Sequence, residues 1–289
     1  MKLGRNDLCW CKSGRKYKSC HLAMDEKLQR YAEKGDFVPT HEMIKNVEQI
    51  AGIREASKLN TEVLDMISEH MQEGISTGEL DRLLYEFTVS KGGVPGPLHF
   101  EGYPKSVCIS INEVVCHGIP DDKQILRSGD IVNVDVTTIY HGYYGDASRM
   151  YCIGEVSEDK KRLVRVTKEC LDLGRQAAQP WAHLGDVGYA INTHAIENGY
   201  TVVVEIGGHG VGLAMHEEPW VSHIGQPGTD MLLVPGMIFT IEPMVNMGAA
   251  AVETSKEDGW TVRTVDRKPS AQWEYTILIT PDGNEILTK

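Results

Sequence analysis

The chain of 289 residues lacks an apolar run that approaches the roughly 18 residues needed to cross a membrane. Its N-terminus also lacks the apolar core of a secretory signal peptide, and is basic and rich in cysteine instead. We therefore expect a cytoplasmic protein without membrane attachment. The length suits one large domain or two smaller ones, with a full hydrophobic core.

Positive charge is scarce, since 29 Lys and Arg residues face 41 Asp and Glu residues, giving a net charge of −12. This balance argues against general nucleic-acid binding. Residues 1–21 are the exception, because they hold six basic side chains and one acidic one, so this segment carries +5 and the remainder −17. An odd count of seven cysteines excludes a complete disulfide scaffold and favours a reducing compartment. We expect Cys116, Cys152 and Cys170 to be buried and unreactive.

The basic N-terminal segment contains a C-x-C-x8-C-H pattern of soft and borderline metal ligands. Its four members are Cys9, Cys11, Cys20 and His21. Four such ligands leave no open position on a tetrahedral zinc ion, so the expected role is structural. Free thiols buried in a core are the alternative, but the segment is too polar to bury them. The sequence GRNDLCWCKSGRKYKSCH resembles the SEC-C motif, with Trp10 in place of a small residue.

Hydrophobic spacing predicts the order of secondary structure. Helical periodicity indicates helices over residues 44–71, 77–90, 157–178 and 187–198, with a short helix and linker in residues 22–40. Strands are predicted over residues 106–111, 131–138, 147–153, 201–205, 237–242, 261–264 and 273–280, with HGYYGD as a turn. Helices, strands, helices and strands in this order predict an α+β fold rather than a wound parallel sheet.

One short pattern occurs twice, as SGDIVNVD in residues 128–135 and PGMIFTIE in residues 235–242. Each copy is a glycine turn followed by a strand and a carboxylate. A histidine tetrapeptide precedes each copy, HGIP in residues 117–120 and HEEP in residues 216–219. We interpret this as two duplicated lobes that share one site, with the oxygen and imidazole ligands that a divalent metal centre needs.

Five residues are candidate ligands for two divalent ions. Asp135 shares a strand face with Asn133 and Thr137, a hairpin would return Asp146 beside it, and His209 lies in a glycine-rich loop. Glu242 ends one predicted strand, and Glu274 begins another. The complete set is Asp135, Asp146, His209, Glu242 and Glu274. Taken singly, a strand carboxylate is more often solvated or ion-paired, but recurrence in both halves favours a metal site.

Seven motifs over residues 41–289 resemble the type I methionine aminopeptidases of peptidase family M24: VCHGIP, VNVDV, GYYGDASRM, GGHGVG, MHEEP, FTIEPM and SAQWEYTILIT. The resemblance implies the pita-bread fold, an α+β architecture of two lobes related by a pseudo-twofold axis. It also implies removal of the N-terminal methionine from nascent proteins and peptides with a small second residue. The expected divisions are a zinc motif in residues 1–22, a linker in 23–40 and a catalytic domain in 41–289.

The same resemblance assigns roles to the ligands. Asp135 would bind one ion, Asp146 and Glu274 would bridge both, and His209 and Glu242 would complete the second. The ions would be Co, Mn, Fe or Zn, and a hydroxide bridging them would attack the first peptide bond. Glu242 would move a proton from this nucleophile to the leaving amine. Backbone carbonyl groups would hold Na⁺ or K⁺ at Asn112, Val114 and Ser270.

Two histidines and an apolar pocket are the expected substrate contacts. By resemblance, His117 supports the leaving amide and His216 stabilises the oxygen that develops negative charge. The methionine pocket would comprise Phe100, Tyr103, Cys108, Met215 and Trp260. Related enzymes often have Tyr at the place of Phe100 and Phe at the place of Met215, so the shape of this pocket is expected to differ.

The expected partners are nascent polypeptide N-termini, and the enzyme is expected to be a monomer. The basic N-terminal motif, with Trp10 and Tyr17 interpreted as exposed aromatics, suggests docking to the ribosome. Deleting residues 1–40 would then weaken ribosome co-sedimentation and leave turnover intact. The rivals are a proline-directed peptidase, which usually carries a far larger N-terminal domain, and an inactive binding protein of the same fold. The complete ligand set argues against the latter.

Overall fold

The computed structural model describes residues 3–289 and contains the helices that the hydrophobic spacing predicts. Their bounds are α1 Leu22–Ala32, α2 Val47–Ser68, α3 Thr77–Ser90, α4 Glu158–Ala177 and α5 Leu184–Glu197. Asn46 starts α2 with a capping box shared with Gln49, and Ser76 caps α3 by accepting a hydrogen bond from the backbone N–H of Glu79. In residues 3–289, no helix is both long and apolar enough to span a bilayer.

The strands are more numerous than the sequence predicts, and β4 and β5 are longer. They are β1 Val94–Pro95, β2 Cys108–Ile111, β3 Val114–Cys116, β4 Ile131–Tyr140, β5 Tyr143–Cys152, β6 Thr201–Val202, β7 Gly208–Gly210, β8 Glu217–Val221, β9 Ile238–Ile241, β10 Met244–Asn246, β11 Val252–Thr254, β12 Val262–Thr264, β13 Ser270–Gln272, β14 Tyr275–Thr280 and β15 Gly283–Ile286. The alternation of helices and strands confirms the α+β class.

In the first half, α2 and α3 pack on a sheet built around β4. Strand β5 pairs with β4 along its whole length, while β2 and β1 share the opposite edge. His141 and Gly142 both have positive φ and form the two-residue turn between β4 and β5. The predicted turn HGYYGD was therefore wrong in extent, because β5 begins at Tyr143 rather than at Ala147.

In the second half, α4 packs on strands β9, β10 and β13, while α5 packs on α4 and contacts β6. The larger sheet has the antiparallel order β15-β14-β9-β7-β8, and two three-stranded sheets, β13-β10-β6 and β11-β12-β3, flank it. The glycine turns of the repeated pattern have the same backbone conformation, with φ of +98° at Gly129 and +97° at Gly236. The strands then differ, since β4 continues past Asp135 whereas β9 ends immediately before Glu242.

Residues between the N-terminal motif and α2 pack tightly on the second half. Leu28 of α1 is buried in the largest hydrophobic cluster, and Tyr31 stacks on Trp181 with ring centroids 5.8 Å apart. Further along, the carbonyl of Phe37 accepts a hydrogen bond of 2.8 Å from the backbone N–H of Leu232. This segment is therefore fixed to the body of the protein along most of its length.

Candidate metal centre

A cavity of about 660 Å³ opens between the two halves. Its lining includes all five predicted metal ligands, both predicted substrate histidines and the complete predicted methionine pocket. The sequence-predicted catalytic residues, which are spread over more than half of the chain, therefore meet at one place.

The β4–β5 hairpin brings Asp135 and Asp146 together. Asp135 lies opposite Ser148 and Thr137 lies opposite Asp146, so the two carboxylates are diagonal neighbours on one sheet face. The other face of β4 carries Val132, Val134 and Val136 into a hydrophobic cluster, as the period of two predicts. The hydroxyl of Thr137 donates a 2.9 Å hydrogen bond to Oδ1 of Asp146 and holds this carboxylate toward the cavity.

His209 lies in the short strand β7 rather than in the predicted loop. A Cβ on Gly208 would stand 2.3 Å from the carbonyl oxygen of Thr240, so the strands approach more closely than side chains would allow. Nδ1 of His209 lies 3.0 Å from the carbonyl oxygen of Gly210 and donates its proton there. Nε2 thus presents its lone pair 3.6 Å from Oε1 of Glu242 and 3.9 Å from Oδ2 of Asp146.

Glu242 is held by three groups that the sequence interpretation missed. The hydroxyl of Thr240 donates to Oε1 over 2.7 Å, and Nε2 of Gln272 donates to Oε2 over 3.2 Å. The backbone N–H of Glu242 donates to Nε2 of His223 over 3.1 Å. Thr240 and Gln272 each stand two residues before a predicted ligand, Glu242 and Glu274, so the strand period of two could have revealed them.

The buried carboxyl groups raise one another's pKa values. Burial raises the pKa of Asp135 to about 7, and burial together with repulsion between the carboxylates raises those of Asp146, Glu242 and Glu274 well above their usual range. No Lys or Arg lines this cavity among the described residues. Such a cluster of oxygen atoms with one imidazole is what divalent cations bind.

The ligand geometry supports the same conclusion. Asp146, His209 and Glu274 each offer a ligand atom, and these atoms all lie within 4.8 Å of one another. Asp135 lines the same cavity, and Oε1 of Glu242 lies 3.6 Å from Nε2 of His209. The residues present therefore fit a centre of two divalent ions. Their carboxylates carry negative charge that the ions would neutralise, and one imidazole nitrogen has its lone pair free to bind an ion.

Both predicted substrate histidines are neutral in this environment. Burial, and then the neighbouring His216, lowers the pKa of His117 to about 4. Burial also lowers the pKa of His216, while the nearby Glu101 carboxylate opposes this shift. His216 packs edge-on against His209, with ring centroids 4.4 Å apart, and against Phe100 at 5.3 Å. Each can donate one hydrogen bond without repelling an incoming ammonium group.

The predicted methionine pocket is one continuous wall of the cavity. The ring of Tyr103 packs edge-on against Trp260 at 5.2 Å, and its hydroxyl donates to the carbonyl oxygens of Val107 and Gly118. Cys108 is buried, and burial raises the pKa of its thiol, so it remains an uncharged apolar neighbour. Met215 is also buried and lines the same cavity.

Two of the three residues expected to hold a monovalent cation are in direct contact. The carbonyl oxygen of Asn112 accepts a 2.8 Å hydrogen bond from the backbone N–H of Ser270. Val114 lies two residues beyond Asn112, at the start of β3. The cation itself stays a prediction.

The N-terminal cysteines and histidine also converge. Sγ of Cys9 lies 3.1 Å from Nδ1 of His21, Sγ of Cys20 lies 3.3 Å from the same nitrogen, and Sγ of Cys11 lies 3.5 Å from that of Cys20. All four ligand atoms lie within 4.8 Å of one another. Three thiols and one imidazole at such distances match the ligand set of a closed tetrahedral zinc site.

The interpretation of Trp10 and Tyr17 as exposed aromatics was wrong. Tyr17 is buried, and its hydroxyl donates a 2.5 Å hydrogen bond to Asp25 of α1. Trp10 is partly buried between His21 and His41, with ring centroids 4.4 and 4.1 Å away. Both rings therefore hold the motif to the body of the protein instead of facing a partner.

The expectation for the remaining cysteines holds for two of the three. Cys116 and Cys170 are buried, whereas Cys152 at the end of β5 is exposed. Tyr151 and Ile153, on either side of Cys152, pack on the hydrophobic cluster beneath the sheet, so the strand period of two places Cys152 on the opposite face.

Comparison with known proteins identifies the family. The model of metallopeptidase family M24 matches residues 51–281, which is most of the chain. The chain belongs to metallopeptidase family M24. The SEC-C motif matches residues 5–23, which include the four clustered ligands. An M24 metallopeptidase is a metal-dependent peptide hydrolase, and the residues that line the carboxylate cavity fit such a metal centre.

Similar proteins within the family are named methionine aminopeptidase. A methionine aminopeptidase of Escherichia coli (strain K12) is 50% identical over 85% of this chain and 93% of its own length. Another, from Chlamydia pneumoniae, is 43% identical over 98% of both chains and so also covers the N-terminal motif. The chain is therefore an M24 enzyme of the methionine aminopeptidase group.

Solved structures confirm the pita-bread fold expected from the sequence. The methionine aminopeptidase of Rickettsia prowazekii superimposes with a TM-score of 0.84 and 46% identity, covering 85% of this chain and 99% of that one. A prolidase of Pyrococcus horikoshii superimposes with a TM-score of 0.68 at 24% identity, over 86% of this chain and 63% of that one. The latter shares the fold alone.

Proposed function

We propose that this M24 enzyme removes the N-terminal methionine from nascent proteins and peptides whose second residue is small. The observation that carries the proposal is a single cavity in which a five-ligand metal centre adjoins an apolar pocket. The metal centre supplies the hydrolytic chemistry, and the pocket supplies selection for an unbranched apolar side chain. Preference for a small second residue, such as Gly, Ala or Ser, rests on the resemblance to the methionine aminopeptidases.

Five side chains would hold the two ions: Asp135, Asp146, His209, Glu242 and Glu274. The ions, when bound, supply Lewis-acid polarisation of the scissile carbonyl and lower the pKa of water. The donor set accepts Co, Mn, Fe or Zn. By the resemblance to the methionine aminopeptidases, Asp146 and Glu274 would bridge both ions.

Three side chains of the chain would handle protons and charge. Glu242 would receive a proton from the attacking water at a carboxylate oxygen and deliver it to the leaving amine, since Thr240 and Gln272 fix its orientation. His216 would donate a hydrogen bond to the oxygen that develops negative charge, and His117 would support the leaving amide. Their lowered pKa values keep both imidazoles neutral at physiological pH.

The methionine side chain would lie against Phe100, Tyr103, Cys108, Met215 and Trp260. Aromatic edges and sulfur atoms suit a polarizable thioether, with favourable sulfur–aromatic contacts of about 0.3–1.5 kcal/mol each. The uncharged Cys108 thiol and the hydroxyl of Tyr103, which is bonded to backbone carbonyls, leave this wall without an unpaired polar group among the described residues. This chemistry favours Met over charged or branched side chains.

We also propose two further ion sites. A structural zinc ion would be held by Cys9, Cys11, Cys20 and His21, because their ligand atoms converge without a free position. Na⁺ or K⁺ would be held by the backbone oxygens of Asn112, Val114 and Ser270. The contact between Asn112 and Ser270 supports the second site.

The N-terminal motif would dock the enzyme on the ribosome. Five basic residues of the motif are exposed: Arg5, Lys12, Arg15, Lys16 and Lys18. Exposed lysine and arginine side chains on one small module suit the phosphates of RNA, and such binding weakens steeply with salt. We propose that the enzyme is a cytoplasmic monomer that meets nascent chains there.

Peptide cleavage by metal-stripped enzyme tests the proposed activity. The protein would be re-supplied with each divalent ion in turn and offered Met-Ala-Ser, Met-Leu-Ser and an Xaa-Pro peptide. Release of Met from Met-Ala-Ser alone, and only after an ion is added, supports the proposal. Cleavage before proline would instead assign the chain to the proline-directed peptidases of this fold.

Docking is best tested by charge reversal rather than by deleting residues 1–40. Deletion of α1 would expose Trp181 and part of the core, because Leu28 and Tyr31 pack there. The variant Lys12→Glu/Arg15→Glu/Lys16→Glu keeps these contacts and should lose ribosome co-sedimentation while turnover of Met-Ala-Ser is retained. The control Glu26→Lys changes an exposed charge on α1. Unchanged co-sedimentation of the triple variant would refute ribosome docking.

A further inference from the structure

The loop between β7 and β8 carries two cavity residues and is organised around one carboxylate. Met215 and His216 lie at its end, directly before Glu217, the first residue of β8. Oε1 of Glu217 accepts hydrogen bonds from the backbone N–H groups of Leu213 and Ala214, over 2.7 and 3.2 Å. The loop therefore folds back on the side chain that follows it.

A lysine from a distant part of the chain neutralises this carboxylate. The ammonium group of Lys45 contacts Oε2 of Glu217, and the Lys45 side chain is 1% exposed. The backbone of Lys45 is fixed as well, because its N–H donates a 2.9 Å hydrogen bond to the carbonyl of Gly236. Among the described residues, no other cation lies within ion-pairing distance of Glu217.

The charge of this pair matters because of its surroundings. Glu217 lines the same cavity as the four metal-ligand carboxylates, and no Lys or Arg stands among the described lining residues to replace Lys45. Breaking a buried ion pair by removing one partner is strongly unfavourable, because the remaining charge is left unpaired. Glu217 would then turn toward water and release Leu213 and Ala214.

We propose that Lys45 and Glu217 form a positioning pair that sets His216 and Met215 in the cavity. This inference rests on the proposed function, in which His216 contacts the reacting oxygen. With the pair intact, the loop holds the His216 ring edge-on against His209 and Phe100. Without it, the imidazole loses its fixed position, although every metal ligand keeps its own supports.

The kinetic test uses the loaded enzyme and the variants Lys45→Met, Glu217→Gln and the double variant. Misplacement of a catalytic group by about 1 Å costs on the order of 100-fold, so we expect kcat for Met-Ala-Ser to fall about 10- to 100-fold in each single variant. KM should change less, since most pocket contacts lie on other elements. The double variant should be no worse than either single one, because the residues act as a unit.

Two further variants separate positioning from a general loss of structure. Lys45→Arg retains a cation and should recover most of kcat. Arg54→Met removes an exposed cation that pairs with Glu285 rather than with Glu217, and should leave kcat unchanged. Bound metal and the unfolding midpoint are measured for every variant. Additive losses in the double variant, or an unchanged kcat in a folded and loaded Lys45→Met enzyme, would overturn the proposal.

Hydrogen exchange gives a readout that does not depend on activity. In the native protein, the amides of Leu213 and Ala214 should exchange slowly, because both donate to Glu217. In Lys45→Met, they should exchange at least about tenfold faster, while the amides of β9 stay protected. Equal rates in both proteins would overturn the positioning pair even if the native enzyme cleaved Met-Ala-Ser. Failure of cleavage by the native enzyme would instead refute the proposed function.

Discussion

Single residues determine the charge of the site before any ion binds. Asp146, Glu242 and Glu274 are 4%, 8% and 3% exposed, and in residues 3–289 only His209 brings a basic nitrogen within 4 Å of their carboxylate oxygens. Burial, followed by the effect of neighbouring histidines, lowers the pKa of His209 to about 4, so it does not supply a compensating charge. The carboxylates must therefore either bind protons or share divalent cations.

This competition predicts opposite effects of pH on metal-free and loaded enzyme. Burial raises the pKa of Asp135 from 3.8 to about 7 in the folded state. At a pH below the pKa of the unfolded chain, the carboxyl is protonated in both the folded and the unfolded state. Between that pKa and the raised pKa of the folded protein, the folded state keeps the proton and the unfolded state loses it. The free energy of unfolding of the metal-free enzyme should therefore fall as pH rises from about 4 to about 7.

Denaturant unfolding with and without ions measures this effect. Divalent ions need ionised carboxylates, so loaded enzyme should gain stability over the same range in which metal-free enzyme loses it. The titration is made with urea at about pH 5 and about pH 7.5, which bracket most of the titration of Asp135. Identical pH slopes for the two forms would contradict the prediction.

The sequence predicts the ligand residues better than the groups that orient them. The five ligands and both histidines belong to compact motifs, and the structure brings them to one cavity. Thr240 and Gln272 follow the strand period and could have been predicted. His223 could not, because it is a single buried histidine whose partner is the backbone N–H of Glu242. Nothing in its local sequence indicates that contact.

At the scale of secondary structure, the short strand β7 determines how closely its neighbours approach His209. Gly208 and Gly210 flank the histidine and leave no room for side chains on either side. A Cβ on Gly210 would stand 2.2 Å from the carbonyl oxygen of Glu218 in β8. Close packing on both sides therefore fixes β7, which carries His209, between β8 and β9.

The substitution Gly210→Ala should push β7 away from β8 and displace His209. Inserting one methyl group into such a tight contact typically costs about 1–3 kcal/mol of stability. Because the predicted ligand His209 moves, the affinity for metal should fall as well. This fall should be larger than the loss of stability alone would cause. Isothermal titration with Mn²⁺ and thermal unfolding of metal-free protein measure the two effects separately.

Gly228→Asn is the matched control for this substitution. Gly228 has φ of +70°, and a Cβ added there would meet no atom of the described residues within 4 Å. Asparagine also tolerates this conformation better than most other residues. The metal affinity of this variant should equal that of the unmodified enzyme. Unchanged affinity in Gly210→Ala would show that β7 adjusts without moving His209.

Length decides which elements the sequence predicts. Helices α2 to α5 have 14 to 22 residues, so several turns of apolar periodicity identify them. Strands such as β7, β10 and β11 have three residues each, too few for an alternating pattern. The predicted β4–β5 turn was too long because it included Tyr143 to Asp146, which already belong to β5.

At the scale of the whole molecule, Asp25 joins the N-terminal motif to the catalytic body. Its carboxylate accepts hydrogen bonds from the Trp10 indole at 3.0 Å and from the Tyr17 hydroxyl at 2.5 Å. It also lies 3.1 Å from Nε2 of His41, the first residue of the predicted catalytic domain. One side chain on α1 therefore contacts the motif on one side and the segment leading to Lys45 on the other.

Replacing this carboxylate should release the motif while leaving the active site intact. In Asp25→Ala, the indole and the partly buried hydroxyl lose their acceptor, and an unsatisfied polar group costs about 1–3 kcal/mol. We expect proteases to cut between the motif and α1 far faster than in the unmodified enzyme. Turnover of Met-Ala-Ser should not change, because Asp25 lies outside the lining of the cavity. Glu26→Ala, an exposed neighbour on the same helix, should retain native resistance. Equal resistance of the two variants would mean that the Trp10 stack alone holds the motif in place.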